Sequence, residues 1–108
     1  RIGYDSIDYN AVQAMVTGID GLTGTVQIEK QRDSGKDRLI VRVESELGGE
    51  ARDGAAKALE QSFLDNRPAF RDFMVKGSIH PIRVEIVAPG SLPRNPRTGK
   101  LMRVVDCL

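Results

Sequence analysis

One stretch of this chain gathers groups that can handle an anion. From Ala88 to Lys100 it reads Ala-Pro-Gly-Ser-Leu-Pro-Arg-Asn-Pro-Arg-Thr-Gly-Lys, with three prolines, two glycines and three cations, and Arg103 follows close behind. No helical or strand period runs through it, so it reads as a loop. Loops carried on a rigid scaffold are where binding and catalytic groups concentrate. Thr98-Gly99-Lys100 offers a hydroxyl, a permissive backbone and a long cationic arm, while the prolines limit the freedom lost on docking. Such a loop suits placing an ammonium against a phosphate or carboxylate. It is not a P-loop, which requires glycine where Arg94 stands and Ser or Thr where Leu101 stands. The plain alternative is a solvated basic loop between two strands.

Other reactive residue types are scarce. His80 is the only histidine and sits beside Pro81 with no Ser or Cys partner nearby in sequence, which suggests a structural or surface role. Cys107, the only cysteine, lies next to the end of the chain and reads as part of a tail rather than as a nucleophile. One thiol makes no internal disulfide, and no Cys/His cluster is present for zinc, so no metal site is expected in this chain. Phe63, Phe70 and Phe73 are spaced as core residues rather than as ligand contacts.

The elements that must carry the loop follow from periodicity. Asp8 to Ile19 places Val12, Met15, Val16 and Ile19 at i, i+3, i+4 and i+7, one face of a helix that Ser6 or Asp8 would cap and Gly18 or Gly21 would end. Thr25 to Lys30 and Arg38 to Glu44 alternate as strands. Between them Arg32-Asp33-Ser34-Gly35-Lys36-Asp37 suggests a hairpin with a loop of several residues. A helix is expected from about Glu50 to Asn66, with Ala55, Ala56, Leu59 and Phe63 as its buried stripe. Pro68 suits the first turn of a second helix that buries Phe70, Phe73 and Met74 and ends at Gly77. Pro81 to Val87 reads as a third strand with Ile82, Val84 and Ile86 inward, and Leu101 to Val105 as a short last one. The expected fold is α+β: three strands and one short strand in an antiparallel or mixed sheet packed by helices, in the order α-β-β-α-α-β.

The 108 residues fit a single domain. Sixteen basic and fifteen acidic residues leave a net charge of +1, which gives no ground for expecting nucleic acid or an anionic membrane as partner. Aromatic residues make up 5% of the chain, too few for a base-stacking surface. No apolar run approaches a membrane span, and the lone cysteine suits a cytoplasmic setting. The first residue is Arg1 rather than Met, so a longer chain with upstream sequence is expected.

Gly90-Ser91-Leu92-Pro93-Arg94, then Arg97-Thr98-Gly99-Lys100, then Arg103-Val104-Val105-Asp106 resembles the end of phenylacetate-CoA ligases of the adenylate-forming, AMP-binding superfamily. Upstream, Val12 to Leu22 resembles the family's helix ending in Pro-Gly-Leu, with Asp20 in place of proline, and Val26–Ile28 and Leu39–Glu44 resemble its hairpin strands. The resemblance covers most of the chain, with its specific part in the last segment. Arg1-Ile2-Gly3-Tyr4-Asp5 stands where the family carries a Gly-Arg-x-Asp-Asp hinge and matches it only in part, and the segment from Asn66 to Ile79 is longer than the usual connection.

The resemblance implies a small C-terminal domain of an AMP-forming acid–thiol ligase, an acyl-CoA synthetase. Its large N-terminal adenylation domain would lie outside this chain, which alone would be inactive. It implies Lys100 as the catalytic residue of carboxylate adenylation. It places Arg94, Arg97, Thr98, Gly99 and Arg103 near the ATP phosphates, and Gly3 and Tyr4 at the CoA channel. ATP, Mg2+, CoA and a carboxylic acid would be bound by the full-length enzyme, with none held tightly by this domain alone, and a homodimer stays open. The rival expectation is a ferredoxin-like, ACT-like module that binds a small regulatory ligand, with Arg1 to Asp5 as its first strand. A ligase that transfers its acyl group to an acceptor other than CoA is the third.

Overall fold

The computed structural model describes residues 9–22, 25–92, 94, 97–99 and 104–107, the last four by their backbone path. The element order is α1 (Tyr9–Thr17), β1 (Val26–Asp33), β2 (Lys36–Glu44), α2 (Gly49–Asn66), α3 (Pro68–Val75), β3 (Arg83–Val87) and β4 (Val104–Cys107). The four strands form one sheet in the order β3-β2-β1-β4. The central β1–β2 pair is antiparallel, and both outer pairs, β2–β3 and β1–β4, are parallel. The α+β class and the mixed sheet are as the periodicity predicts.

The helices lie on one face of this sheet. Val12 and Val16 of α1, Leu59 and Phe63 of α2 and Phe70 of α3 pack with Val26, Ile28, Leu39, Val41, Val43 and Ile86 in one buried cluster. These strand residues alternate with polar ones, as a sheet with one apolar face requires. The rings of Phe63 and Phe70 meet edge to face with centroids 5.0 Å apart, which fixes α3 against α2. Phe73, Met15, Ile19, Ala56 and Met74 are partly buried against the same cluster, so the expected stripes hold. Tyr9 Oη donates to the Val26 carbonyl at 2.8 Å and ties the start of α1 to the start of β1.

Three boundaries differ from expectation. The hairpin has no long loop: Asp33 pairs directly with Lys36, leaving a two-residue turn. Ser34 and Gly35 take φ of 54° and 80°, both left-handed, which is the turn whose twist matches the flanking strands. Arg32 and Asp37, which read as loop residues, are cross-strand partners joined by an ion pair of 3.1 Å. Second, β4 as described covers Val104–Cys107 and so runs past Val105; the expected start at Leu101 lies outside the described residues, as do Met102 and Arg103. Cys107 therefore belongs to a strand, in register with Gln31, and not to a tail. Third, β3 starts at Arg83, although Ile82 is buried as expected.

The end of α3 follows the expectation closely. Gly77, at φ 78°, donates to the Met74 carbonyl, and Ser78 donates to the Phe73 carbonyl at 2.9 Å. This pair of bonds closes the helix in the manner that favours glycine at the left-handed position. His80 then latches onto the hairpin: its backbone N–H donates to the Asp37 carbonyl and its ring Nε2 lies 2.9 Å from the Asp33 carbonyl oxygen. The structural role expected of His80 is the one observed.

Candidate functional site

The sheet order dictates where the cationic loop must run. β3 and β4 occupy opposite edges, so residues 88–103 cross three inter-strand gaps, roughly 14 Å at the usual spacing. The helices fill one face. Ile40 and Leu92 are 2% and 4% exposed, yet both stand outside the helix-side cluster. Ile40 alternates with the core-facing Leu39 and Val41, and so belongs to the second face. Leu92, at the start of this link, is buried outside the helix-side core.

Local sequence starts this path. Ser91 N–H donates to the Ala88 carbonyl at 3.1 Å, closing a turn over Pro89-Gly90. Gly90 has φ 82°, the left-handed backbone that a type II turn needs at its third position, and Pro89 presets the second. The turn brings Leu92 to the end of β2, where its N–H donates to Glu44 Oε2 at 3.2 Å. Glu44 is only 6% exposed and is the last residue of β2, in register with Val87 of β3. The loop is therefore pinned at its start, which corrects the expectation of a wholly exposed segment. Leu92 is the only aliphatic residue in the run from Pro89 to Lys100, and that was its signal in the sequence.

Beyond Leu92 the described loop residues face water. Arg94 makes a single-residue β-bridge with its side chain exposed, and Arg97, Thr98 and Gly99 are exposed. Gly99 has φ 69°, a left-handed turn just before the lysine position. Lys100, Arg103, Gly3 and Tyr4, each expected at the site, lie outside the described residues, as do Ser6, Asp8 and the strand that the ferredoxin-like reading needs at Arg1 to Asp5. Among the described residues no group of His, Cys, Asp and Glu could hold a metal ion, and no helix is long and apolar enough to cross a membrane.

The second face also carries an ion-pair network. Arg42 of β2 donates from Nη1 to Glu29 of β1 at 2.9 Å and from Nε to Glu85 of β3 at 2.7 Å. Gln31 donates to the other oxygen of Glu29. Burial by itself would raise the Glu29 carboxyl, but the hydrogen bonds from Arg42 and Gln31 and the Arg42 charge bring it below its ordinary value. Burial likewise opposes the Arg42 cation, and bonds to both carboxylates raise it above its usual range. The three charges clamp three neighbouring strands from this face.

A second buried polar centre fixes the end of the sheet. Ser45, fully buried, donates from Oγ to the Gly21 carbonyl at 2.6 Å and accepts from Leu47 N–H at 3.1 Å. Its own N–H donates to the Val87 carbonyl, so the loops after α1 and β2 and the end of β3 meet at one residue. Sequence reasoning passed over both Ser45 and Glu44, because each looks like a polar residue at a strand end.

No family model and no curated protein matches the chain. Solved structures do. The chain is similar to a domain of phenylacetate-coenzyme A ligase from Bacteroides vulgatus ATCC 8482, with TM-score 0.63 and 17% identity over 90% of this chain and 80% of that one. It is also similar to 2-hydroxyisobutyryl-CoA ligase, in complex with 2-HIB-AMP and CoA in the thioesterification state, with TM-score 0.55 and 28% identity over 99% of this chain. A structure of the same ligase in the postadenylation state with R3-HIB-AMP gives TM-score 0.54 and 24% identity. The chain spans only 20% of the first of these ligase chains. The fold of this α+β domain is thus shared with parts of acyl-CoA ligases of the AMP-binding superfamily.

Proposed function

We propose that the chain is the small C-terminal domain of an ATP-dependent acid–thiol ligase of the phenylacetate-CoA ligase kind, in which Lys100 serves carboxylate adenylation. The observation that carries this is the likeness, along 99% of the chain, to one-fifth of a ligase solved with an acyl-adenylate and CoA. The Gly90–Asp106 pattern supports it independently of the fold.

In this reading the substrate carboxylate attacks the α-phosphate of ATP, giving an acyl-adenylate and pyrophosphate. A thiol, CoA by preference, then displaces AMP. The chain's own contribution to the first step is a positive charge delivered from a loop. At ~4 Å from a phosphate such a charge is worth about 4 kcal/mol at an effective dielectric of ~20. The exposed guanidinium groups of Arg94 and Arg97 and the hydroxyl of Thr98 are donors suited to a nucleotide phosphate. Mg2+ would ride on the phosphates of ATP and groups of the large domain. Between the two half-reactions the small domain rotates, withdrawing the loop.

The test uses the full-length enzyme. Lys100→Ala is expected to lower adenylation, read as ATP–pyrophosphate exchange, by about 10²–10³-fold. Thioester formation from supplied acyl-adenylate should stay largely intact. Unchanged exchange would remove Lys100 from the mechanism.

A further inference from the structure

We infer that Glu44, with Leu92, is a positioning residue for the cationic loop: the buried carboxylate at the end of β2 holds the start of the segment that leads, eight residues on in sequence, to Lys100. The inference rests on the reading of Lys100 as the adenylation residue and adds to it a second residue on a different element.

The geometry offers three linked observations. The Pro89-Gly90 turn redirects the chain as it leaves β3. The Leu92 side chain is 4% exposed and stands outside the helix-side cluster. Glu44, 6% exposed, accepts the Leu92 N–H, a bond between residues 48 apart in sequence. A buried carboxylate is costly unless it is bonded, and bonds to a charged acceptor are stronger than neutral ones. Glu44 therefore depends on its hydrogen bonds at this position, and the Leu92 N–H supplies one of them. Downstream, the loop is held again where Val104 enters β4 beside Ile28. Lys100 lies between these two anchors in the chain. Loop-closure entropy alone changes little when one anchor is lost, because it grows only with the logarithm of length. Orientation is the larger effect: a ~1 Å displacement of a catalytic group can cost ~10²-fold in rate.

The experiment measures both half-reactions of the full-length enzyme for Glu44→Met, Glu44→Gln, Leu92→Ala and Lys100→Ala. Glu44→Met removes the acceptor and fills the space. It should lower kcat for pyrophosphate exchange about ten- to hundredfold with KM for ATP and acid little changed, and leave thioester formation from supplied acyl-adenylate intact. Glu44→Gln keeps a carbonyl acceptor for the Leu92 N–H and should restore most of the rate. Leu92→Ala loosens the same anchor from the loop side and should act in the same direction, which keeps the inference testable if Glu44→Met does not fold. Adenylation left intact by both Glu44→Met and Leu92→Ala, while Lys100→Ala abolishes it, overturns the inference alone. Equal loss in both half-reactions also overturns it, since that is a folding defect. Intact adenylation in Lys100→Ala overturns the reading on which it rests.

Discussion

Replacing Arg42 by methionine isolates the charge network of the second face. The variant keeps an unbranched apolar stem of similar reach and deletes two ion pairs, at 2.9 Å to Glu29 and 2.7 Å to Glu85. The two are unequal. The Glu85 side chain is 37% exposed, so its pair is screened and worth no more than about 1 kcal/mol. The Glu29 side chain is 15% exposed and would lose its charged partner while staying largely buried, a cost of about 1.5–3 kcal/mol. The sum, about 2–4 kcal/mol at neutral pH, corresponds to a fall in Tm of roughly 10–25 °C for a domain of this size. The pH dependence is the sharper test. In the parent chain Glu29 titrates below its ordinary value of 4.5, so its contribution is full above that pH and is lost as pH falls through the folded value. In the variant the lowering by Arg42 is gone and burial remains, which pushes the carboxyl up. The folded variant then takes up a proton before the unfolded chain does, so acid relieves its penalty. The gap in Tm between parent and variant should be widest near neutrality and shrink below the ordinary carboxylate range. Thermal unfolding of both chains by circular dichroism across that range measures it. A gap that stays constant with pH, or a loss at neutrality below about 1 kcal/mol, would refute the assignment of Glu29 and Arg42 as a coupled, partly buried pair.

Phe63→Ala should cost about 3–5 kcal/mol in denaturant unfolding, because Phe63 is 1% exposed and its ring is the edge-to-face partner of Phe70. Gly21→Ala should destabilise by at least ~1 kcal/mol in the same assay: φ is +86° there, and a Cβ would stand 2.7 Å from a Leu47 methyl carbon. A neutral result at Gly21 would mean that the turn after α1 and the Leu47 side chain shift together at little cost.

How far the sequence foretold this molecule depended on whether one residue's surroundings could be judged from its own segment. The helices were legible because Val12, Val16, Leu59, Phe63 and Phe70 repeat at helical spacing and all face one cluster. The hairpin strands were legible in part. Their alternation ends in charges, and Arg32, Asp33, Lys36 and Asp37 have the composition of a loop, yet they are cross-strand neighbours whose ion pairs of 3.1 and 3.4 Å are visible only once the register is known. The extension of β4 past Val105 has the same origin: Asp106 and Cys107 pair with Lys30 and Gln31, a distant segment. At the candidate site, the exposed cations Arg94 and Arg97 and the left-handed Gly99 were legible from composition. The carboxylate that anchors the loop was not, since nothing within either segment links Glu44 to Leu92.

The topology explains why that link exists. A hairpin placed at the centre of a sheet leaves its neighbours on opposite sides, so the chain between them must travel the full width of the sheet. Were the helices shared between faces, this passage would be a buried segment needing partners for every backbone group. With α1, α2 and α3 contributing to one cluster, the second face stays polar along Glu29, Gln31, Arg42 and Glu85, and among the described residues its buried positions include Gln27, Ile40 and Glu44. At the end of β2 the buried Leu92 and its N–H bond to Glu44 hold the start of the loop. The same division stiffens the sheet to which Leu92 is bonded, because its strands are packed from behind by the helix-side core and held laterally by Arg42.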